Sequence, residues 1–230
     1  MALSHINGQT ISGLSAINGQ TRSGLSEIFG QSIGAGETFP LTSILDNFNR
    51  ANENPIAGGW ASFPVYNGIN TARVVSNTLR CRNVAPAQNA HPVWNTTFAA
   101  NQEAYVTVSD ATVVTDIAVL ARATDMDTPS FMNDMYYVRM ASGNFRLYKV
   151  INDTETQLAT TTQALSSGDS LGIRCNGTTI QGWYKPSGGS WTKLLEVTDS
   201  SLTGSGNIAI MLSVSSDGAG DLDDFGGGEI

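Results

Sequence analysis

Apolar and polar positions alternate along most of this chain, and the clearest run lies between Leu165 and Leu212. In Ser170-Leu171-Gly172-Ile173-Arg174-Cys175 the residues Leu171, Ile173 and Cys175 alternate with small or charged ones, the two-residue period of a half-buried strand. Asn176-Gly177 follows at once. That pair suits a type I′ turn, whose central residues both need φ > 0, so Thr178 to Tyr184 is expected to fold back as the antiparallel partner. The glycine-rich loop Pro186-Ser187-Gly188-Gly189 leads to a strand at Trp191 to Val197. A turn at Asp199 to Gly206 then leads to Ile208 to Val214, and the whole segment reads as a meander.

The same alternation predicts strands at Arg73 to Arg82, Trp94 to Ala99, Ala104 to Val108, Asp116 to Ala123, Tyr136 to Met140, Phe145 to Ile151, Thr156 to Thr161 and Gly220 to Phe225. The segments between them are rich in Asn, Asp, Gly and Pro, the residues of tight turns. Phe48 and Trp60, on either side of a polar loop with Pro55 and Gly58-Gly59, read as core anchors. About a dozen strands suit an all-β fold, a two-sheet antiparallel sandwich. At 230 residues the chain can hold this as one sizeable core. Composition agrees, because only 14% of residues are charged and 24 are glycine, which favours short strands and turns over long helices.

The first three dozen residues follow another rule, a repeat of period 11. Ile6-Asn7-Gly8-Gln9-Thr10-Ile11-Ser12-Gly13-Leu14-Ser15-Ala16 is followed by Ile17-Asn18-Gly19-Gln20-Thr21-Arg22-Ser23-Gly24-Leu25-Ser26-Glu27, then by a decayed copy opening Ile28-Phe29-Gly30-Gln31-Ser32-Ile33. An 11-residue period suits a right-handed helical supercoil, yet each full copy carries two glycines, at about 1 kcal/mol apiece in a helix interior. Short extended pieces joined at Asn-Gly turns fit better. Three such copies cannot close a core, so Ile6, Ile11, Leu14, Ile17, Leu25, Ile28 and Phe29 are expected to find another surface. That surface is either sister chains, as in a trimer, or a docking partner; a flexible low-complexity arm is the plainer reading. With the linker Ala35 to Pro40, residues 1–40 form an extended repeat-containing arm and residues 41–230 the sandwich.

Charge removes some functions. A net charge of −8, from 12 basic and 20 acidic residues, offers no footprint for a phosphate backbone, so nucleic acid is not expected as a partner. The sequence has no run of 18 apolar residues, so no membrane insertion is expected, and Met1 to His5 lacks the pattern of a secretory signal. Cys81 and Cys175 both fall at core-facing strand positions and read as two buried thiols, the alternative being one disulfide.

A family resemblance comes from an ordered set of short motifs. Asp46-Asn47-Phe48-Asn49-Arg50 with Trp60, then Tyr136-Tyr137-Val138-Arg139, then Gly168-Asp169-Ser170-Leu171 with Asn176-Gly177-Thr178-Thr179-Ile180, and finally Asp223-Asp224-Phe225 resembles a concanavalin A-like (laminin G-like) jelly roll over residues 42–230. The resemblance implies that first and last strands lie close, with Phe48 and Phe225 at one end of the core. The Asn-Gly repeat ahead of such a domain resembles the N-terminal arms of tailed-bacteriophage virion proteins: head fibres, decoration proteins and tail adhesins.

That family includes glycosidases, so the carboxylates need weighing. Retaining hydrolysis needs two carboxyl groups about 5–5.5 Å apart, and Asp221 and Asp223 are the one pair sharing a face of a predicted strand. They depart from the Glu-x-Asp-x-Glu arrangement of the family's enzymes and read instead as a solvated acidic sheet edge. Asp125, Asp127, Asn133 and Asp134 form an oxygen-rich loop, a weak candidate for Ca2+ with an ordinary polar turn as the alternative. No other metal or cofactor is expected, since His5 and His91 stand apart in the sequence. For a sugar, Trp183 should point outward opposite the buried Ile180, beside Gln181 and near Trp191, unless it packs under a loop or a neighbouring subunit. The expectation is a non-enzymatic structural virion protein, held by its arm to capsid or tail proteins or to sister chains. A lectin-like adhesin for host-surface glycan is the alternative, and a glycosidase the remote one.

Overall fold

The computed structural model describes residues 37–61, 72–81, 89–112, 114–124, 134–214 and 221–230, together with the backbone of six short strands among the first 36 residues. The chain divides into two units, Met1–Phe39 and Pro40–Ile230.

In the first unit, β1 (His5–Ile6) pairs with β2 (Gln9–Thr10), β3 (Ala16–Ile17) with β4 (Gln20–Thr21), and β5 (Glu27–Ile28) with β6 (Gln31–Ser32), all antiparallel. Ile6 lies opposite Gln9, Ile17 opposite Gln20 and Ile28 opposite Gln31, so the pairs recur with the sequence repeat. A two-residue interval between paired strands is the spacing of the tightest hairpins. Of Ile6, Ile17 and Ile28 only the strand backbone is described. Ile11, Leu14, Leu25 and Phe29 lie outside the described residues.

The second unit is a sandwich of two eight-stranded antiparallel sheets. Its strands are β7 (Ile44–Asp46), β8 (Trp60–Ala61), β9 (Ala72–Val75), β10 (Thr78–Cys81), β11 (Asn89–Ala90), β12 (Val93–Trp94), β13 (Gln102–Asp110), β14 (Val114–Thr124), β15 (Asp134–Ala141), β16 (Asn144–Ile151), β17 (Thr154–Thr162), β18 (Ser170–Asn176), β19 (Thr179–Lys185), β20 (Thr192–Thr198), β21 (Asn207–Val214) and β22 (Asp221–Glu229). The first sheet runs β20-β19-β18-β13-β22-β10-β9, with β7 also pairing β22. The second runs β17-β16-β15-β14-β21-β12-β8, with β11 also pairing β21.

Three expectations change here. The strand predicted at Arg73 to Arg82 is a hairpin, because Ser76 and Asn77 take φ values of 52° and 64° and turn the chain between β9 and β10. The segment predicted at Trp94 to Ala99 keeps only Val93–Trp94 as strand, with Phe98 making a single bridge to Gly206. The meander ends at β20, since β21 crosses to the second sheet and pairs with β14. Ile208, Ile210 and Leu212 of β21 face the main core, while Ala209 is buried on the other side. A strand covered on both faces belongs inside a sheet, not at the end of a meander.

The main core fills the space between the sheets. Alternate residues of β13 (Ala104, Val106, Val108), β14 (Ile117, Val119, Ala121) and β18 (Leu171, Ile173, Cys175) meet there, each large apolar side chain contributing roughly 1.5–3 kcal/mol on burial. Phe48 and Phe225 share one end of this core, as the resemblance implied, on either side of Trp60 at ring distances of 6.0 and 4.8 Å. The Trp60 indole N–H donates to Asp46 Oδ2 at 2.7 Å, which ties the entry strand β7 to the cluster. Cys81 and Cys175 are both buried and are not joined in a disulfide, and burial pushes the Cys175 thiol up to about 12.

Candidate functional site

The outer face of the first sheet carries an extended polar network. Because strand residues alternate, placing Ala104 and Val106 in the core turns Glu103 and Tyr105 outward. Strand register then lines up Glu196, Gln181, Arg174 and Glu103 across four strands. Arg174 Nε and Nη2 donate to Glu103 Oε2 at 2.9 and 2.6 Å, with the two side chains only 3% and 0% exposed. The other carboxylate oxygen, Oε1, accepts the Leu41 N–H at 2.5 Å, the Thr42 N–H at 2.7 Å and the Thr42 hydroxyl at 2.8 Å. Tyr105 donates its hydroxyl to the Thr42 carbonyl at 3.1 Å. Burial, with the nearby Glu103 and Asp224 charges, pushes the Tyr105 phenol up to about 12.

Trp183 sits on this face, as its parity with Ile180 required, yet it is only 3% exposed. Its indole N–H donates to Gln181 Oε1 at 3.2 Å, and the Arg174 guanidinium lies 5.7 Å from its ring centre. Gln181 is buried too and donates to Glu196 Oε2 at 3.0 Å. Of the two readings of Trp183, an open ring for a sugar and a covered one, the structure has the covered one. Period two fixes the face of a side chain and leaves its covering unspecified. Trp191 is half-buried, edge-on to Tyr105 at 6.0 Å and under the Lys185 ammonium at 5.9 Å.

Asp221 and Asp223 also face outward on β22, but β22 lies between β13 and β10. The solvated acidic edge expected from sequence is thus a central strand, closed on both sides by hydrogen-bonded neighbours. Arg80 Nη2 donates to Asp221 Oδ2 at 2.7 Å. Asp223 accepts the Asp224 N–H at 2.8 Å, and burial followed by the Asp224 and Asp46 charges raises its pKa above the ordinary value. Asp134 Oδ1 accepts the Asn152 N–H at 2.9 Å and so fixes the β16–β17 turn. Asp125, Asp127 and Asn133 lie outside the described residues, among which no group of three or more His, Cys, Asp or Glu could hold a metal. His91 is half-buried between β11 and β12 and pushed down to about 4 by desolvation.

The outer face of the second sheet is apolar at its centre. Val93, Ala118, Leu120, Met135, Val150 and Ala209 form a second buried cluster there. Register places Ala209, Leu120, Tyr137, Tyr148 and Gln157 in one row. The Tyr137 and Tyr148 rings stack at 4.9 Å with 16° between their planes. Tyr137 donates its hydroxyl to the Glu155 carboxylate, and Tyr148 donates to Gln157 Oε1 at 3.2 Å. Burial first, and that carboxylate second, raise the Tyr137 pKa. Beside the row, Arg139 Nε donates to Asp116 Oδ1 at 2.8 Å and its Nη2 donates to Oδ2. The Glu103–Arg174 pair and this tyrosine row both escaped the sequence reading; the alternation in β13, β15 and β16 held the signal for their faces, but only register brings them together.

No protein-family model and no curated protein matches the sequence. Solved structures do match. The β-glucanase of Bacillus licheniformis superposes with a TM-score of 0.55 at 11% identity, over 80% of this chain and 96% of that one. The VIP36 exoplasmic/lumenal domain in its Ca2+/Man-bound form gives 0.56 at 12% identity, over 76% and 84%. A protein of unknown function with a galectin-like fold from Bacillus subtilis gives 0.51 at 11% identity, over 67% and 83%. At such identities the likeness establishes the fold, a concanavalin A/galectin-like jelly-roll sandwich.

Proposed function

We propose that this chain is a non-enzymatic structural module, a jelly roll displayed on a particle through its N-terminal arm. A tailed-phage virion is the setting, with the arm seated on capsid or tail proteins or on sister chains in a trimer. The observation that carries this reading is the set of three short strand pairs in the arm, each at the same place in the repeat. Pairs of two-residue strands have too little contact to be stable alone, so they need a further surface to rest on.

The carboxylates support a module without catalysis. Glycoside hydrolysis needs two carboxyl groups poised across one bond, one donating a proton and the other attacking or activating water. Glu103 is held by Arg174 and Thr42, Asp221 by Arg80, Asp116 by Arg139, and Glu155 accepts from Tyr137. Asp223 therefore lacks Asp221 as a free second carboxylate.

Light scattering of the full chain and of residues 37–230 tests the reading. The full chain should form a defined oligomer or join the particle, and the shortened one should remain a folded β domain that does neither. An unchanged mass for the two would overturn it.

A second reading, binding of a neutral glycan, is favoured by the exposed Gln157 and Glu155 on the outer face of the second sheet, where they hold the hydroxyls of the buried Tyr137–Tyr148 stack. An amide and a carboxylate side by side suit the hydroxyls of a sugar, and the matched proteins are a β-glucanase and a domain with bound Man. Calorimetry with β-glucan oligosaccharides and mannose, with Gln157→Ala as control, decides it: heat abolished by that change would promote glycan binding, and no heat would remove it.

A further inference from the structure

The segment Pro40–Ser43 runs along the outer face of the first sheet, and it is held by its backbone. Leu41 and Thr42 give both N–H groups and the Thr42 hydroxyl to one oxygen of Glu103, the Thr42 carbonyl accepts from Tyr105, and the Ser43 carbonyl accepts the Gly227 N–H at 3.4 Å. Side-chain burial contributes little. Leu41 is 63% exposed and Ile44 49%, the two exposed large hydrophobic residues among those described.

The Glu103 carboxylate is therefore divided between two parts of the chain. Its Oε2 takes both Arg174 donors from within the sheet, while its Oε1 takes all three of its donors from residues 41–42. An ionised carboxylate has acceptor sites on both oxygens, and a buried one needs both satisfied. Without the segment, half of the site would face nothing. We propose that Glu103, Arg174 and Tyr105 form a docking site for the chain's own residues 41–43, a clasp that fixes the root of the arm on the sandwich and opens without unfolding it. This rests on reading the arm as the attachment element, since residues 41–43 follow it directly in the chain. Thr42 is the keystone, as its N–H, hydroxyl and carbonyl are all engaged.

Hydrogen exchange read by mass spectrometry on the full chain tests the clasp. In the unmodified protein the Leu41 and Thr42 amides should be protected. Thr42→Val, which removes only the hydroxyl, should speed exchange at the Leu41 amide by about tenfold, as expected for losing one bond to a charged acceptor. Thr42→Pro, which also removes the N–H, should speed it by roughly a hundredfold or more. Amides of β13 and β18 should keep their protection in both variants. Exchange at 41–42 already at the unprotected rate, or unchanged in both variants, or lost together with that of β13 and β18, would overturn the clasp. Exchange reports on single molecules, whereas the mass of the assembly reports on attachment. A failed clasp with intact oligomers leaves the attachment reading standing, and the reverse leaves the clasp.

Discussion

Both sheets bury part of their outward faces, but on the first the buried residues are Glu103, Arg174, Gln181 and Trp183, joined by hydrogen bonds, while on the second they are Val93, Ala118, Leu120 and Ala209, joined by packing. Each face also carries an arginine–carboxylate pair. Arg174–Glu103 is 3% and 0% exposed, whereas Arg139–Asp116 is 31% and 24% exposed. The same chemical pair thus sits in two dielectric settings of one molecule. Buried, it demands that every lone pair be met and so dictates where residues 41–42 lie; half-exposed, water can replace either partner and the pair dictates little.

The largest effect should come from breaking the buried pair on one side. Glu103→Ala leaves the Arg174 guanidinium buried without its carboxylate, and the expected loss is about 3–5 kcal/mol, read from denaturant unfolding. Replacing both residues by methionine sharpens the comparison. That double change should return most of the loss, because an apolar pair needs no partners, yet it should leave residues 41–42 without a site. A single change that costs nothing would mean that the pair is solvated after all, and the contrast between the faces would fall.

Next comes the packed face. Leu120 is fully buried in the second cluster, with Ala209 and Tyr137 as its neighbours across the strands. Leu120→Ala should cost about 2–5 kcal/mol, the range for a core leucine, although the residue points away from the main core. A cost below about 1 kcal/mol, that of an exposed position, would show that this face is open to water.

The sequence predicted the long strands well because β13 to β22 carry enough alternating positions to display their period. It failed on β7, β8 and β11, two or three residues long, which have no room for a period. It also failed where pairing decides the outcome. The Ile208 to Val214 pattern is the same in a meander as in a sheet crossing, and only the burial of Ala209 on the far side separates the two. The face of Trp183 followed from Ile180, but its cover depends on Arg174 of the neighbouring strand β18 and on Gln181 of its own strand, which is held in turn by Glu196 of β20. Glu103 was unreadable for a related reason, since its partners lie 71 and 61 residues away in sequence.

The exposed pair should give a smaller response. Asp116→Asn keeps the shape of the side chain and removes the charge opposite Arg139, and its cost should lie within about 1 kcal/mol and shrink further in salt. A cost near that of Glu103→Ala would erase the distinction drawn between the two faces.

The smallest effect, and the one with opposite sign, concerns Asp223. It shares the polar face with Glu103 and Asp221, but accepts only the Asp224 N–H and has no cation partner among the described residues. Its pKa is raised in the folded protein, chiefly by burial and then by Asp224 and Asp46. For a carboxylic acid that direction means that the folded state holds the proton more tightly than the unfolded one. Folding is then favoured at acid pH, and stability is lost as pH rises from the ordinary aspartate range, near ~3.9, through the higher folded value. Asp223→Asn removes the ionisation while keeping an oxygen for the Asp224 N–H. The variant should melt slightly above the parent at pH 7, and the gap should close as the pH falls toward 3, where the parent carboxyl is itself neutral. Asp221→Asn should move the other way at pH 7, because it takes the carboxylate from Arg80. If Asp223→Asn instead melts lower at pH 7 and the deficit disappears in acid, the carboxylate is stabilised by a cation, and the polar face pairs its charges more completely than its geometry implies.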